Sequence, residues 1–152
     1  LDGCRLLLVD DSAVNRMVIG EQLKRLGCRV EQARSGQEAF ELWRSGDYDL
    51  VLTDCHMPNM DGYALARRIR ENEVGQPRQN AIPILGCTAN ALQKAHERCL
   101  QVGMNDVLVK PVPLQKLETK LRYWLSPGRA QYSSEDVRQH RVAGTLPEPL
   151  SD

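Results

Sequence analysis

The chain is poor in aromatic residues, which make up 5% of its 152 positions with one Phe among them. None interleaves with basic residues in the way that binding single-stranded nucleic acid requires. Neither charge is in surplus: Lys plus Arg and Asp plus Glu are 20 each, so no net field draws the chain to nucleic acid or to an anionic membrane. No apolar run approaches the roughly 20 residues that span a bilayer, and the N-terminus lacks the basic start and apolar stretch of a secretory signal. A soluble, cytoplasmic segment without direct membrane contact is expected. No C-x-x-C pair occurs among Cys4, Cys28, Cys55, Cys87 and Cys99, and their number is odd, which argues against a zinc ribbon and against a closed disulfide framework. They read as small buried hydrophobes in a reducing compartment. Leu1 stands where an initiating Met would, so a piece of a longer protein is expected. The length suits one domain with a real core and is short for two.

What is present is an alternation. Four short apolar runs, Leu6 to Val9, Asp49 to Thr53, Ile82 to Cys87 and Val107 to Val109, read as strands covered on both faces, and a weaker alternating run spans Cys28 to Gln32. Between them apolar residues recur at helical spacing: Val14 and Val18; Ile19, Leu23 and Leu26; Ala39, Leu42 and Trp43; Leu65, Ala66 and Ile69. Leu92, Ala95, Cys99 and Val102 form a further set, and Leu114, Leu117, Leu121, Trp124 and Leu125 the last. Strand then helix, five times over, predicts an α/β sheet with helices on both faces and right-handed crossovers. Ser35 with Glu38 reads as a capping box, Gly27 and Gly103 as helix ends, and Asp61-Gly62 as the turn and cap before the third helix. The segment from Asn72 to Ala81 is longer than such a connection needs. From Pro127 the pattern stops. Residues 4–126 are expected to form the domain and residues 127–152 a linker or disordered tail, with at most a short helix near Ser134 to Arg141.

Open α/β sheets bind ligands beyond the carboxyl ends of their strands. The first strand exits at Asp10 and Asp11, the third at Asp54, the fourth at Thr88 and the fifth at Lys110. Taken singly, each has a plainer reading: a cap or solvated turn for the Asp pair, a helix cap for Thr88, a surface lysine for Lys110. Together they bring three carboxylates, a hydroxyl and an ammonium to one rim. Carboxylates so close repel unless a cation lies among them, and hard oxygen ligands with room for water suit Mg²⁺. A metal there draws in a phosphoryl donor, and Asp54 can attack phosphorus to give an acyl phosphate, with Lys110 and Thr88 stabilising the transferred group.

The motifs VDDS (Val9 to Ser12), TDCHMPNMDG (Thr53 to Gly62), TANA (Thr88 to Ala91) and VKP (Val109 to Pro111) resemble the receiver domain of two-component signalling, over about Cys4 to Leu125. The resemblance implies a flavodoxin-like (βα)5 doubly wound sheet of five parallel strands in the order 2-1-3-4-5. It also implies that Asp54 takes a phosphoryl group from a phosphohistidine. Asp10, Asp11 and Asp54 hold Mg²⁺ with the backbone carbonyl of His56, Thr88 bonds a phosphoryl oxygen, and Lys110 pairs with its charge. A cis Lys110-Pro111 bond is part of the same expectation.

The chain departs from the family at Val107, where receivers often carry Tyr or Phe, so an aromatic switch is not available there. His56 and Asn90 occupy positions at which family members tune the lifetime of the acyl phosphate. The wording of the motifs, the long connection after the third helix and the missing Met look most like receivers of bacterial hybrid sensor histidine kinases. That context implies a relay step, with the phosphohistidine domain of a kinase or a histidine phosphotransfer domain as partner. Such a domain would catalyse its own phosphorylation and dephosphorylation, and the full-length protein would be a sensor histidine kinase. A stand-alone response regulator and a phosphorylation-independent binding module remain as alternatives. A haloacid-dehalogenase-like phosphatase places a second aspartate two residues after the nucleophile, where this chain has His56.

Overall fold

The computed structural model describes residues 1–73, 81–90 and 92–126. Five strands alternate with five helices. They are β1 (Arg5–Val9), α1 (Ala13–Arg25), β2 (Arg29–Ala33), α2 (Gly36–Ser45), β3 (Leu50–Asp54), α3 (Gly62–Glu73), β4 (Ile84–Thr88), α4 (Gln93–Gln101), β5 (Asp106–Val109) and α5 (Leu114–Trp124). All neighbouring strands are parallel, and their order is β2-β1-β3-β4-β5, so the expected flavodoxin-like doubly wound sheet is what the chain forms. The order reverses between β1 and β3, which puts the crevice of such folds at the ends of those two strands.

The continuous apolar runs follow from burial on both faces. Side chains alternate along each strand. Leu7, Val9, Val51 and Ile84 therefore join Phe40, Trp43, Leu65, Ile69 and Cys99 on the side of α2, α3 and α4. Leu6, Leu8, Leu50, Leu52 and Leu85 face Leu23, Leu117, Leu121 and Trp124 on the side of α1 and α5. Each such Leu contributes about 2 kcal/mol relative to exposure, so the central strands are firmly registered.

The boundaries shift by a residue or two from those expected, for identifiable reasons. β4 begins at Ile84 rather than Ile82 because Pro83 has no N–H to give a ladder, and its carbonyl instead accepts from Val51 N–H at 2.9 Å. β3 and β4 each run on one residue, making Asp54 and Thr88 the last residues of their strands. The Ser35 hydroxyl accepts from Glu38 N–H at 3.1 Å, but the Glu38 carboxylate reaches back to Arg34 N–H at 2.7 Å rather than to Ser35. Gly27 and Gly103 follow α1 and α4 at φ of +93° and +102°, the left-handed conformation that ends a helix without a Cβ penalty. Asp61 caps α3 by accepting from Ala64 N–H at 2.9 Å.

Two apolar sets are corrected. Val14 and Val18 do not enter the core: with Met17 they are 63%, 55% and 61% exposed, and α1 meets the sheet through Gly20 and Leu23. Leu23 lies nine residues after Val14, about two and a half turns at 3.6 residues per turn, hence on the opposite side of the helix. Leu92 is the exposed N-cap of α4, which buries Cys99.

Two polar networks lie inside. Asp106 at the start of β5 accepts from Lys120 Nζ at 2.9 Å and from Trp124 Nε1 at 3.0 Å, tying α5 to the sheet. At the amino ends of β4 and β5, Arg70 donates to Gly103 O at 2.9 Å, Asn105 Oδ1 at 2.8 Å and Glu73 Oε1 at 2.8 Å. Glu73 Oε2 accepts from Ile82 N–H at 2.9 Å, and Asn105 Oδ1 also accepts from Ile84 N–H at 2.8 Å. Asn72 and Glu73 belong to α3, so the expected long connection is shorter than Asn72 to Ala81. Its remaining part at 74–80, and the tail with its expected short helix, lie outside the described residues.

Candidate functional site

Because β1 ends at Val9 and β3 at Asp54, Asp10 and Asp54 come to the same edge of the sheet, both buried, with Asp11 exposed beside them. One ligand oxygen from each of the three carboxylates lies within 4.8 Å of the others. Lys110, just past β5, reaches across β4 so that its Nζ stands 3.2 Å from Asp54 Oδ1 and 3.4 Å from Asp10 Oδ2. Its own N–H donates to Thr88 O at 2.8 Å, and the Lys110-Pro111 bond is cis as expected. Thr88 ends the strand next to Asp54, buried, with its hydroxyl accepting from Asn90 N–H at 3.0 Å. His56 is exposed, and its N–H points to Asp54 Oδ1 at 3.4 Å. The structure thus gathers Asp10, Asp11, Asp54 and Lys110 directly, with Thr88 and His56 on the segments that border them.

The electrostatics are those of an underneutralised pocket. Burial pushes the Asp54 carboxyl above the usual carboxylate range, Lys110 opposes that rise, and Asp10 adds to it. Burial draws Lys110 down, but Asp54 and Asp10 more than offset this and leave it above an ordinary lysine. Two carboxylates at 4.8 Å repel by about 3 kcal/mol at an effective dielectric near 20. Three carboxylates against the one ammonium paired with them leave two negative charges among those four groups, which a divalent cation would balance. The donor set is all oxygen, and the exposure of Asp11 leaves an open side for water, both as Mg²⁺ prefers. The residues present fit that ion.

The sequence reading missed how completely Asp10 is held. Its N–H donates to Ala33 O at 3.1 Å, its carbonyl accepts from Arg16 Nη1 at 2.7 Å, and its Oδ1 accepts from Ser12 N–H at 2.9 Å. Ser12 also caps α1, with its hydroxyl accepting from Asn15 N–H at 3.2 Å, and a Ser directly before a helix was a legible signal for that. Nothing in the spacing pointed to Arg16. The close approach at Gly62, read from the sequence only as part of the turn before α3, is a second missed feature. A Cβ there would collide with the Asp54 carbonyl oxygen and come within 2.9 Å of Cys55 Cα. Behind the site, Cys55 and Cys99 place their sulfurs 3.6 Å apart, and the hydrogen bond to Cys99 together with burial pushes the Cys55 thiol up, so it stays protonated. Val107 packs half-buried against the core beside α4, with no ring to swing.

The response regulator receiver domain model matches residues 6–122. The virulence sensor protein BvgS of Bordetella pertussis is 44% identical over 119 residues, which is 77% of this chain and 10% of that protein. The sensor histidine kinase RcsC of Salmonella typhi is 40% identical over 120 residues, or 79% of this chain and 12% of that one. The chain therefore spans about a tenth of the length of these relatives. Among solved structures, the receiver domain of sensor histidine kinase PA1611 from Pseudomonas aeruginosa, with a magnesium ion coordinated in its active-site cleft, is 43% identical. It superposes with a TM-score of 0.72, covering 81% of this chain and 98% of that one. The receiver domain of Ssk1, crystallised with the histidine phosphotransfer protein Ypd1 of Saccharomyces cerevisiae, gives a TM-score of 0.77 at 28% identity over 88% of this chain and 97% of the other. By sequence and by fold, the chain belongs to the response regulator receiver domain family of two-component signalling, and is homologous to the receivers of hybrid histidine kinases.

Proposed function

We propose that the domain accepts a phosphoryl group on Asp54 from a phosphohistidine, as one step of a phosphorelay within a bacterial hybrid sensor histidine kinase. The observation that carries this reading is the convergence of Asp10, Asp11 and Asp54 within 4.8 Å, with Lys110 Nζ between two of them. A carboxylate oxygen of Asp54 attacks phosphorus, the P–N bond to the imidazole breaks, and its electron pair stays on the ring nitrogen. The carboxylates of Asp10, Asp11 and Asp54, with the His56 carbonyl, would hold Mg²⁺, which would supply charge neutralisation at the site. Lys110 holds charge beside Asp54 as the oxygens of the transferred group crowd in, and the Thr88 hydroxyl donates to one of them. Hydrolysis of the acyl phosphate at the same site, in which water attacks phosphorus, the P–O bond to Asp54 breaks and inorganic phosphate leaves, completes that self-catalysed cycle.

The partner is a phosphohistidine domain of a kinase or a histidine phosphotransfer domain. Val14, Met17 and Val18 form an exposed apolar stripe on the helix that starts three residues after Asp10, and a stripe of this spacing suits a helical partner that must bring an imidazole to Asp54. RcsC is a sensor histidine kinase by name and a further relative, from Dictyostelium discoideum, is a hybrid signal transduction histidine kinase by name, which supports the hybrid context; the cytoplasmic side is where such a donor would meet this domain. Among the described residues no helix is long and apolar enough to cross a membrane.

The test is incubation with acetyl phosphate, with and without Mg²⁺, read by intact mass beside Asp54→Asn. A metal-dependent gain of one phosphoryl group that the variant lacks is expected. A folded protein that gains none under any condition brings forward the phosphorylation-independent binding module.

A further inference from the structure

Asp10 lies one residue beyond β1, where the ladder no longer uses its carbonyl, and Arg16 supplies that carbonyl with a donor at 2.7 Å. Water would satisfy the same oxygen but would leave the residue free to turn, whereas a charged donor on a helix fixes it. With Ala33 on its N–H, Ser12 on Oδ1 and Lys110 on Oδ2, every polar group of Asp10 is then engaged. Six residues further along the same helix, Gln22 donates through Nε2 to the carbonyl of Val112 at 3.1 Å, a contact between residues 90 apart in sequence. Val112 is two residues after Lys110, in the loop that sets where the ammonium sits. One helix thus carries a polar side chain to each of the two loops whose charged groups must meet.

We propose that α1 is the brace of the site: Arg16 and Gln22 are positioning residues, the first holding Asp10 for the metal, the second holding the Lys110 loop for the transferring group. The inference rests on the phosphoacceptor reading of Asp54. Arg16 offers a test of sign. Its guanidinium is a positive charge beside a cation site, so if it acted through charge alone its loss would tighten Mg²⁺ binding. As a positioning group, its loss weakens binding. Partners that orient metal ligands typically account for 10- to 100-fold in affinity, and Arg16 is set at about 10-fold because it holds the main chain rather than the carboxylate.

The experiment uses the whole chain and two readouts, calorimetric titration with Mg²⁺ and the rate of mass gain from acetyl phosphate at saturating Mg²⁺. Arg16→Met is expected to bind Mg²⁺ about tenfold more weakly, yet to recover close to the native rate once metal saturates. Arg16→Lys keeps a single donor for a single carbonyl and returns to within about threefold of native affinity. Gln22→Met, which changes no charge, keeps its Mg²⁺ affinity and loses about tenfold in rate that added metal does not restore. Loss of fold alone would move both readouts together and lower the urea midpoint, which is measured on each variant. Native or tighter Mg²⁺ binding in Arg16→Met overturns its assignment, and a native rate in Gln22→Met overturns the other. A native chain that binds Mg²⁺ but gains no phosphoryl group overturns the phosphoacceptor reading and Gln22 with it, while calorimetry still decides Arg16.

Discussion

Replacing Gly62 by Ala adds one methyl group where the first turn of α3 rests on the main chain of Asp54. The added carbon would overlap the Asp54 carbonyl oxygen and stand 2.9 Å from Cys55 Cα and 3.0 Å from the Asp54 carbonyl carbon. Carbon atoms in contact sit at about 3.5 to 4.0 Å, so main chain on one side must yield by roughly half an ångström or more. No flexible side chain is available to move instead, and Gly62 N–H is also bonded to Cys55 O at 3.2 Å. Overpacking of this kind costs about 1 to 3 kcal/mol, and the loss of glycine's freedom in the unfolded chain returns about 0.4 to 1. The net expectation is about 1 to 2 kcal/mol of destabilisation, a fall of about 0.5 to 1 M in the urea midpoint for a slope near 2 kcal/mol/M. Phosphorylation by acetyl phosphate should slow as well, because the displaced atoms belong to Asp54 itself and a shift of about 1 Å can cost 100-fold. Gly20→Ala is the control. Its nearest neighbour is the end of the exposed Gln32 side chain, at 3.1 Å, and an interior helical Ala is expected to be neutral or to stabilise by up to about 1 kcal/mol. Native stability and a native rate in Gly62→Ala would refute the claim that α3 is seated on β3 through this contact.

Lys110→Ala removes the one ammonium between Asp54 and Asp10, so calorimetry should show tighter Mg²⁺ binding while intact-mass kinetics show slower phosphoryl gain; equal or weaker binding would contradict the charge balance described above. Asp54→Asn should raise the melting temperature of the metal-free protein at neutral pH. Burial holds the Asp54 pKa above its unfolded value of 3.8, so its ionisation costs stability as pH rises through that range, and melts in chelator should show the gain shrinking toward pH 4. Lys120→Met leaves the Asp106 carboxylate buried without its ammonium and should cost about 3 kcal/mol in urea unfolding, more than the same change at the exposed Lys24.

Much of the site was legible because it depends on period and position. A strand buried on both faces cannot readily hold a carboxylate in its middle, so Asp54, Asp10 and Asp11 read as strand ends; in sequence they follow their apolar runs, which makes them exits, and parallel strands put all exits on one edge. The exposed stripe of Val14, Met17 and Val18 was not legible, since helical spacing tells that residues share a side but not which side meets the sheet. Asp106 and Lys120 lie 14 residues apart on different elements, and a buried ion pair leaves no local pattern when its partner comes from tertiary packing. Arg16 and Gln22 were hidden for the same reason: each bonds a carbonyl, and every residue has one.

The clamp of Arg70, Glu73 and Asn105 has a practical consequence for anyone who wishes to attach something to this domain. Glu73 Oε2 and Ile82 N–H are joined at 2.9 Å, so the two described ends that flank residues 74–80 are held together, at the end of the sheet away from Asp54. Doubling the length of such a segment adds only about 0.6 kcal/mol of closure entropy. An affinity handle inserted between Glu73 and Ile82 would therefore be anchored at the end of the sheet opposite the crevice.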